Sequence, residues 1–168
     1  PVLDLDLLTD GNDALARICP LEQEAPLLRR PRLLLADGDS RSLAQVTLQL
    51  ADPLAGEGEL LIAPETLPDG VTASYDAVDS ILTLAGPASP GIFADVLAGV
   101  QYYNATAVPA ANDRFIAVIA SDGKAQVQRT ITLQTRDQLR LQVEPGWELY
   151  SLPFAPAQAD VDTVFGDG

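Results

Sequence analysis

Closely spaced chain-breaking clusters constrain this sequence more than any other feature. Asp, Gly, Pro and Asn gather at residues 9–13, 37–40, 52–53, 68–70, 86–87, 109–113, 121–123 and 144–146. Each cluster supplies turn geometry or forbids continuation of a regular element. Turn signals at this density predict a sandwich or a barrel of short strands. The segments between them alternate as strands should. Over residues 43–50, Ala44, Val46, Leu48 and Leu50 share one face, and Gln45, Thr47 and Gln49 share the other. Over residues 126–134, Val127, Ile131 and Leu133 oppose Gln128, Thr130 and Thr132; Arg129 interrupts the apolar side and is expected near an edge or an end. Leu139, Leu141 and Val143 alternate with Arg140, Gln142 and Glu144 in the same way. Period-two patterns with one wet face predict antiparallel sheets.

Residues 115–120 are apolar on both faces and read as a central strand. Further strands are expected over 2–8, 32–36, 59–63, 71–75 and 80–84. One segment departs from the pattern. Ser89 followed by Pro90 matches an N-cap and a first helical residue. Phe93, Val96, Leu97 and Val100 then follow with helical spacing, predicting a short helix that lids one end of a sandwich. The chain changes character after Arg136, so a β-sandwich over 1–135 and an extension, or the start of a further domain, over 136–168 are expected.

Composition narrows the chemistry. The chain has 168 residues, 47% of them hydrophobic, which is ample for a core. Aromatics make up only 5%, so that core must be Leu, Val, Ile and Ala. The lack of Met, and Pro1 at the start, lead to the expectation of an internal fragment or a processed chain. The 24 acids against 10 bases leave a net charge of −14, which disfavours nucleic acid and anionic membranes as partners. Such a surface also keeps an exported protein soluble without binding anything. No apolar run is long enough to span a membrane.

Zero histidines exclude Ser–His–Asp and Cys–His nucleophile systems and His-based zinc sites. The single cysteine, Cys19, can form neither an internal disulfide nor a thiolate metal site, and a buried, inert thiol is expected. Neither a phosphate-cradling loop nor the dinucleotide glycines occur. No carboxylate pair is marked out for hydrolysis, so a non-enzymatic role is expected.

A set of ordered segments carries a resemblance. These are Pro1-Val2-Leu3-Asp4-Leu5, Leu35-Ala36-Asp37-Gly38-Asp39-Ser40 followed by Leu43, and Tyr75-Asp76 with Leu82-Thr83-Leu84-Ala85-Gly86. Val96-Leu97 with Val100-Gln101-Tyr102-Tyr103-Asn104 comes next, and Asp113-Arg114-Phe115-Ile116 with Ser121-Asp122-Gly123 completes it. In order and separation the set resembles the cadherin-like repeats of large bacterial surface proteins, from residue 1 to about residue 133. The resemblance implies an all-β, Greek-key antiparallel sandwich and an extracellular or cell-surface location. Gly146-Trp147-Glu148-Leu149-Tyr150-Ser151-Leu152-Pro153 is similar to a segment found near the ends of exported bacterial proteins, with Glu148 and Tyr150 departing from it.

Calcium is the sharpest functional expectation. Hard cations take six to eight oxygens from carboxylates and carbonyls on flexible loops. Asp37-Gly38-Asp39-Ser40 offers two carboxylates one residue apart, and Asp10-Gly11-Asn12-Asp13 offers a second such loop. The resemblance implies that Ca2+ falls to Glu22, Asp37, Asp39, Asp113 and Asp122. It also departs from the family: Asp-Gly-Asp replaces Asp-Ala-Asp, and the Asp-x-Asn-Asp-Asn linker is missing. Plain turn chemistry explains the same letters.

Other features have weaker readings. Arg29-Arg30-Pro31-Arg32 can dock on acids of a neighbouring copy, or form a solvated loop. Asn104-Ala105-Thr106 fits a glycosylation sequon that is expected to be unused. Tyr75, Tyr102, Tyr103, Trp147 and Tyr150 are candidates for a sugar platform, although Tyr102 and Tyr103 must face opposite ways and one belongs to the core. The expectation is a structural or adhesive module that contacts neighbouring repeats or copies of itself through the first strand and the tail strands. The alternative is a calcium- or polysaccharide-binding module attached to a secreted enzyme.

Overall fold

The computed structural model describes residues 1–8, 11–18, 23–106, 110 and 112–135. Cys19, Glu22, the expected boundary near Arg136, the strand over 139–143 and the Trp147 segment lie outside the described residues.

Among the described residues the fold is all-β with one short α-helix. Its largest layer is a six-stranded sheet. The members are β2 (Ala14–Ile18), β5 (Leu43–Ala51), β7 (Thr72–Asp76), β8 (Ile81–Ala88), β10 (Arg114–Ser121) and β11 (Gln126–Thr135). Their order is β2-β11-β10-β5-β8-β7, so β10, apolar on both faces, lies inside the sheet as its sequence predicts. Alternation selects the inward set: Val46, Leu48 and Leu50 on β5, Ile116, Val118 and Ala120 on β10, Ile131 and Leu133 on β11 are all buried. Each large aliphatic side chain removed from water in this way contributes roughly 1.5–3 kcal/mol before entropy is counted.

Against that apolar face lie two small sheets and the helix. β3 (Glu24–Pro26), β9 (Gln101–Tyr103) and β6 (Leu60–Ile62) form one sheet, and β1 (Val2–Asp4) pairs with β4 (Leu34–Ala36) in the other. Leu3, Leu35, Ala25, Leu61 and Tyr102 join the same core as the large sheet. The helix α1 (Pro90–Ala98) starts as predicted: Ser89 Oγ accepts from the Ile92 amide at 3.4 Å, with Pro90 in the first turn. It buries Phe93, Ala94, Val96 and Leu97 and packs against β4. Gly99 caps its C-terminus, at a position where a Cβ would stand 2.7 Å from Pro64 Cγ.

Several expectations are corrected. The large sheet is mixed, since β2 runs parallel to β11 while the other pairs are antiparallel. Arg129 lies just beyond that parallel ladder, which begins at Ala14↔Ile131. The first strand stops at Asp4 because Asp4 Oδ1 accepts from the Asp6 amide and Asp6 Oδ1 accepts from the Leu8 amide. These local bonds compete with a strand ladder and turn the chain. The expected strand over 32–36 starts only at Leu34, because a 3-10 turn occupies Arg30–Arg32. On β5 the inward residue at the start is Leu43, and Ala44 is exposed. The register with β8 shifts between Leu43 and Gln45, where Ala85 to Ala88 sets an extra residue against β5. Gly86 permits this, since a Cβ on it would meet Leu43 O at 2.9 Å. Burying Leu in place of Ala favours the shifted arrangement by roughly 2 kcal/mol.

Candidate metal centre

Antiparallel pairing of β10 with β5 sets Ser121 opposite Gln45, so the turn after β10 adjoins the loop before β5. That juxtaposition brings Asp122 to Asp37 and Asp39. Each offers a carboxylate oxygen, and the three oxygens lie within 4.8 Å of one another. Two ligands on opposite sides of one Ca2+ ion, each about 2.4 Å from it, stand about that far apart. With oxygen donors only, the cluster suits a hard cation.

Backbone amides orient two of the three groups. Asp37 Oδ1 accepts from the Asp39 and Ser40 amides, each at 3.3 Å. Asp122 Oδ1 accepts from the Lys124 and Ala125 amides at 2.8 and 2.7 Å. These are the turn bonds that the same letters predict in the absence of any ion. The other oxygen of Asp37 is different. Its side chain is only 1% exposed, and Oδ2 makes no hydrogen bond; the Pro1 nitrogen stands 3.5 Å away. That ammonium is an ion-pair partner for the buried oxygen, but at this distance it leaves Oδ2 without a hydrogen bond, and a closer positive charge would satisfy it better.

The charges respond to this crowding. Hydrogen bonding with Asp37, then the negative charges of Asp37 and Asp122, push the Asp39 carboxyl above its ordinary value. The same contact with Asp39 holds Asp37 below its ordinary value, and backbone amides do so for Asp122.

Asp113 is not part of this group. It precedes β10 at the opposite end from Asp122, a separation of roughly 30 Å along an extended strand, and its Oδ2 accepts from Gln134 Nε2 at 3.4 Å. Asp13, from the second acidic loop, accepts from the Thr130 amide at 2.7 Å and so caps the edge of β11 just before β2 begins.

A second polar group, absent from the sequence expectations, lies inside the fold. Glu59 Oε1 accepts from the Tyr102 hydroxyl and from Arg114 Nε, the latter at 2.5 Å. Arg114 Nη2 reaches Glu57 Oε2 at 3.1 Å, and Asn104 Nδ2 donates to the same oxygen at 2.6 Å. The Leu54 and Ala110 amides fill Glu59 Oε2 and Glu57 Oε1. Burial opposes the charge of Glu57, but Asn104, the Ala110 amide and Arg114 outweigh it and hold the carboxyl below its ordinary value. Burial, then the bond to Glu59, raises the Tyr102 hydroxyl. Burial also opposes the Arg114 charge, and the bond to Glu59 overcomes it, raising the guanidinium. Every member has its partners, so the cluster locks β6, β9 and β10 together and offers no free group for chemistry. The sequence signal was a lone Arg114 adjoining an apolar strand, together with Glu57-Gly58-Glu59.

The remaining candidates resolve simply. Asn104 is fully buried, so its sequon is out of reach of a glycan. Arg30 pairs with Asp95 on α1, and Arg32 Nη1 lies 3.9 Å from Asp6, so these arginines meet acids of their own chain. Tyr102 is the core member of its pair, and Tyr75 and Tyr103 are half-buried. Trp147 and Tyr150 lie outside the described residues. No protein-family model matches the chain, and no curated protein matches it either.

Proposed function

We propose that this chain is a non-catalytic structural or adhesive module of an extracellular bacterial protein, related to the cadherin-like repeats, and that it binds Ca2+ at Asp37, Asp39 and Asp122. The observation that carries the cation reading is the gathering of three carboxylate oxygens within 4.8 Å of one another, with the buried Asp37 Oδ2 making no hydrogen bond and the Pro1 ammonium 3.5 Å from it. A cation at this point answers the unsatisfied oxygen and the mutual repulsion together, and water or loop carbonyls complete its shell. The role of the ion is to tie the β4–β5 loop to the β10–β11 turn and stiffen one end of the large sheet. The all-β fold and the absence of histidine support a role without chemistry of its own.

Isothermal titration of the full chain with CaCl2 at neutral pH tests this. One ion per chain is expected, with the heat lost in Asp37→Asn and in Asp122→Asn and kept in Asp113→Asn. Absence of heat, or heat unchanged in Asp37→Asn, overturns the cation assignment.

A further inference from the structure

The outward face of the large sheet carries almost no charge. On the four inner strands β11, β10, β5 and β8, the outward positions are Gln, Thr, Ser, Ala, Ile or Phe, with Gly86 and Pro87 at the register shift of β8. Within the described strands of this sheet, the charged residues pointing the same way are Arg17 on β2 and Asp76 on β7, one on each edge; Asp113, just before β10, accepts from the outward Gln134 at the border of the face. In a chain with 24 acids and 10 bases, so neutral an expanse stands out. Its apolar members adjoin. Phe115 pairs with Thr132, which pairs with Leu15 on its other side, and both large side chains are about half exposed, at 51% and 50%. Ala117 and Ile119 continue the apolar line along β10.

We infer that this face packs against the same face of a second copy of the chain. Elsewhere the net charge of −14 sets acids against acids when two copies approach. Here two copies meet amide, hydroxyl and hydrocarbon groups, as sheets do when they stack face to face about 10 Å apart. A two-fold axis along the strands lays the β2 edge of each copy over the β7 edge of the other and sets the neutral inner strands of the two copies against one another. Six strands about 4.8 Å apart and roughly 20 Å long give about 500 Å² per copy, or roughly 1,000 Å² in all. That area lies at the lower limit for a specific interface and predicts a dimer of micromolar strength. A sugar partner fits less well, because stacking platforms use several aromatic rings and this face has Phe115 alone. The inference rests on the reading of the chain as an assembling module, and is independent of cation binding.

Sedimentation velocity of the full chain across the micromolar range, in EGTA and in CaCl2, tests it. A concentration-dependent dimer is expected in both. Phe115→Lys and the near-isosteric Gln49→Glu each weaken it by at least about tenfold, with unchanged circular dichroism; high salt partly restores the Gln49→Glu dimer. A strictly monomeric chain, or a dimer equally tight in both variants, overturns the inference. So does a monomer that binds neutral glycans through Phe115. A monomer that still gives calcium heat sinks self-association alone, whereas a dimer without calcium heat sinks the cation site alone.

Discussion

Two buried charges in this molecule have unequal standing. Arg114 is enclosed by acceptors that were built for it: Glu59, Glu57 and the Asn112 carbonyl. Removing one partner of such a pair strands the others in a dry interior, at a cost of about 3–5 kcal/mol. Arg114→Met is therefore expected to lower the urea unfolding free energy by about that amount; a loss within experimental error would mean the network contributes nothing. Asp37 is less well served: its buried Oδ2 has the Pro1 ammonium at 3.5 Å but makes no hydrogen bond. Its pH behaviour follows from the neighbouring groups. The elevated value of Asp39 means that it takes up its proton first as pH falls, while Asp37 and Asp122 stay ionised to lower pH. Without cation, the stability owed to the Asp39 proton is present below the ordinary carboxylate value and is lost as pH rises through the elevated one. A cation competes for that same position. The calcium-induced rise in melting temperature is thus expected to be full at neutral pH and to shrink as pH falls through the Asp39 titration. Calorimetric melts across that range check this, and an increment independent of pH would contradict it.

At the scale of elements, legibility depended on length. β5 and β11 run for nine and ten residues with clear alternation, β10 is a continuous apolar run over 115–120, and the helix announces itself through Ser89-Pro90. β3 and β9 have three residues each, too few for a period to show, and β2 mixes Ala with Leu and Arg. The shortened first strand was hidden because Asp4 and Asp6 look like outward polar residues of a strand, yet their side chains bond the backbone two residues on. The acidic site was legible in part. Turn chemistry marked Asp37 and Asp39, and the family resemblance marked these two with Asp122, Asp113 and Glu22; the β5–β10 pairing is what brings Asp122 to Asp37 and Asp39 and leaves Asp113 at the far end. The Arg114 network was illegible because its partners lie 55 and 57 residues away in sequence. The register shift at β5 gives a sharp test of the element description. Leu43→Ala is expected to cost about 2–5 kcal/mol, and Ala44→Ser less than about 0.5 kcal/mol. Denaturant melts distinguish the two, and equal effects would argue for the unshifted alternation.

For the molecule as a whole, the net charge raises a general question: any salt screens acids from one another and stabilises a chain of this composition. A bound ion acts by mass action on the folded state and at much lower concentration. The two contributions separate in one experiment. Thermal unfolding is followed in EGTA, in millimolar CaCl2 and in NaCl of matched ionic strength, for the native chain and for Asp37→Asn. The account predicts a rise in melting temperature with CaCl2 beyond that in NaCl, present in the native chain and abolished in Asp37→Asn. Equal shifts in the two salts, or a calcium shift that survives the substitution, would contradict it.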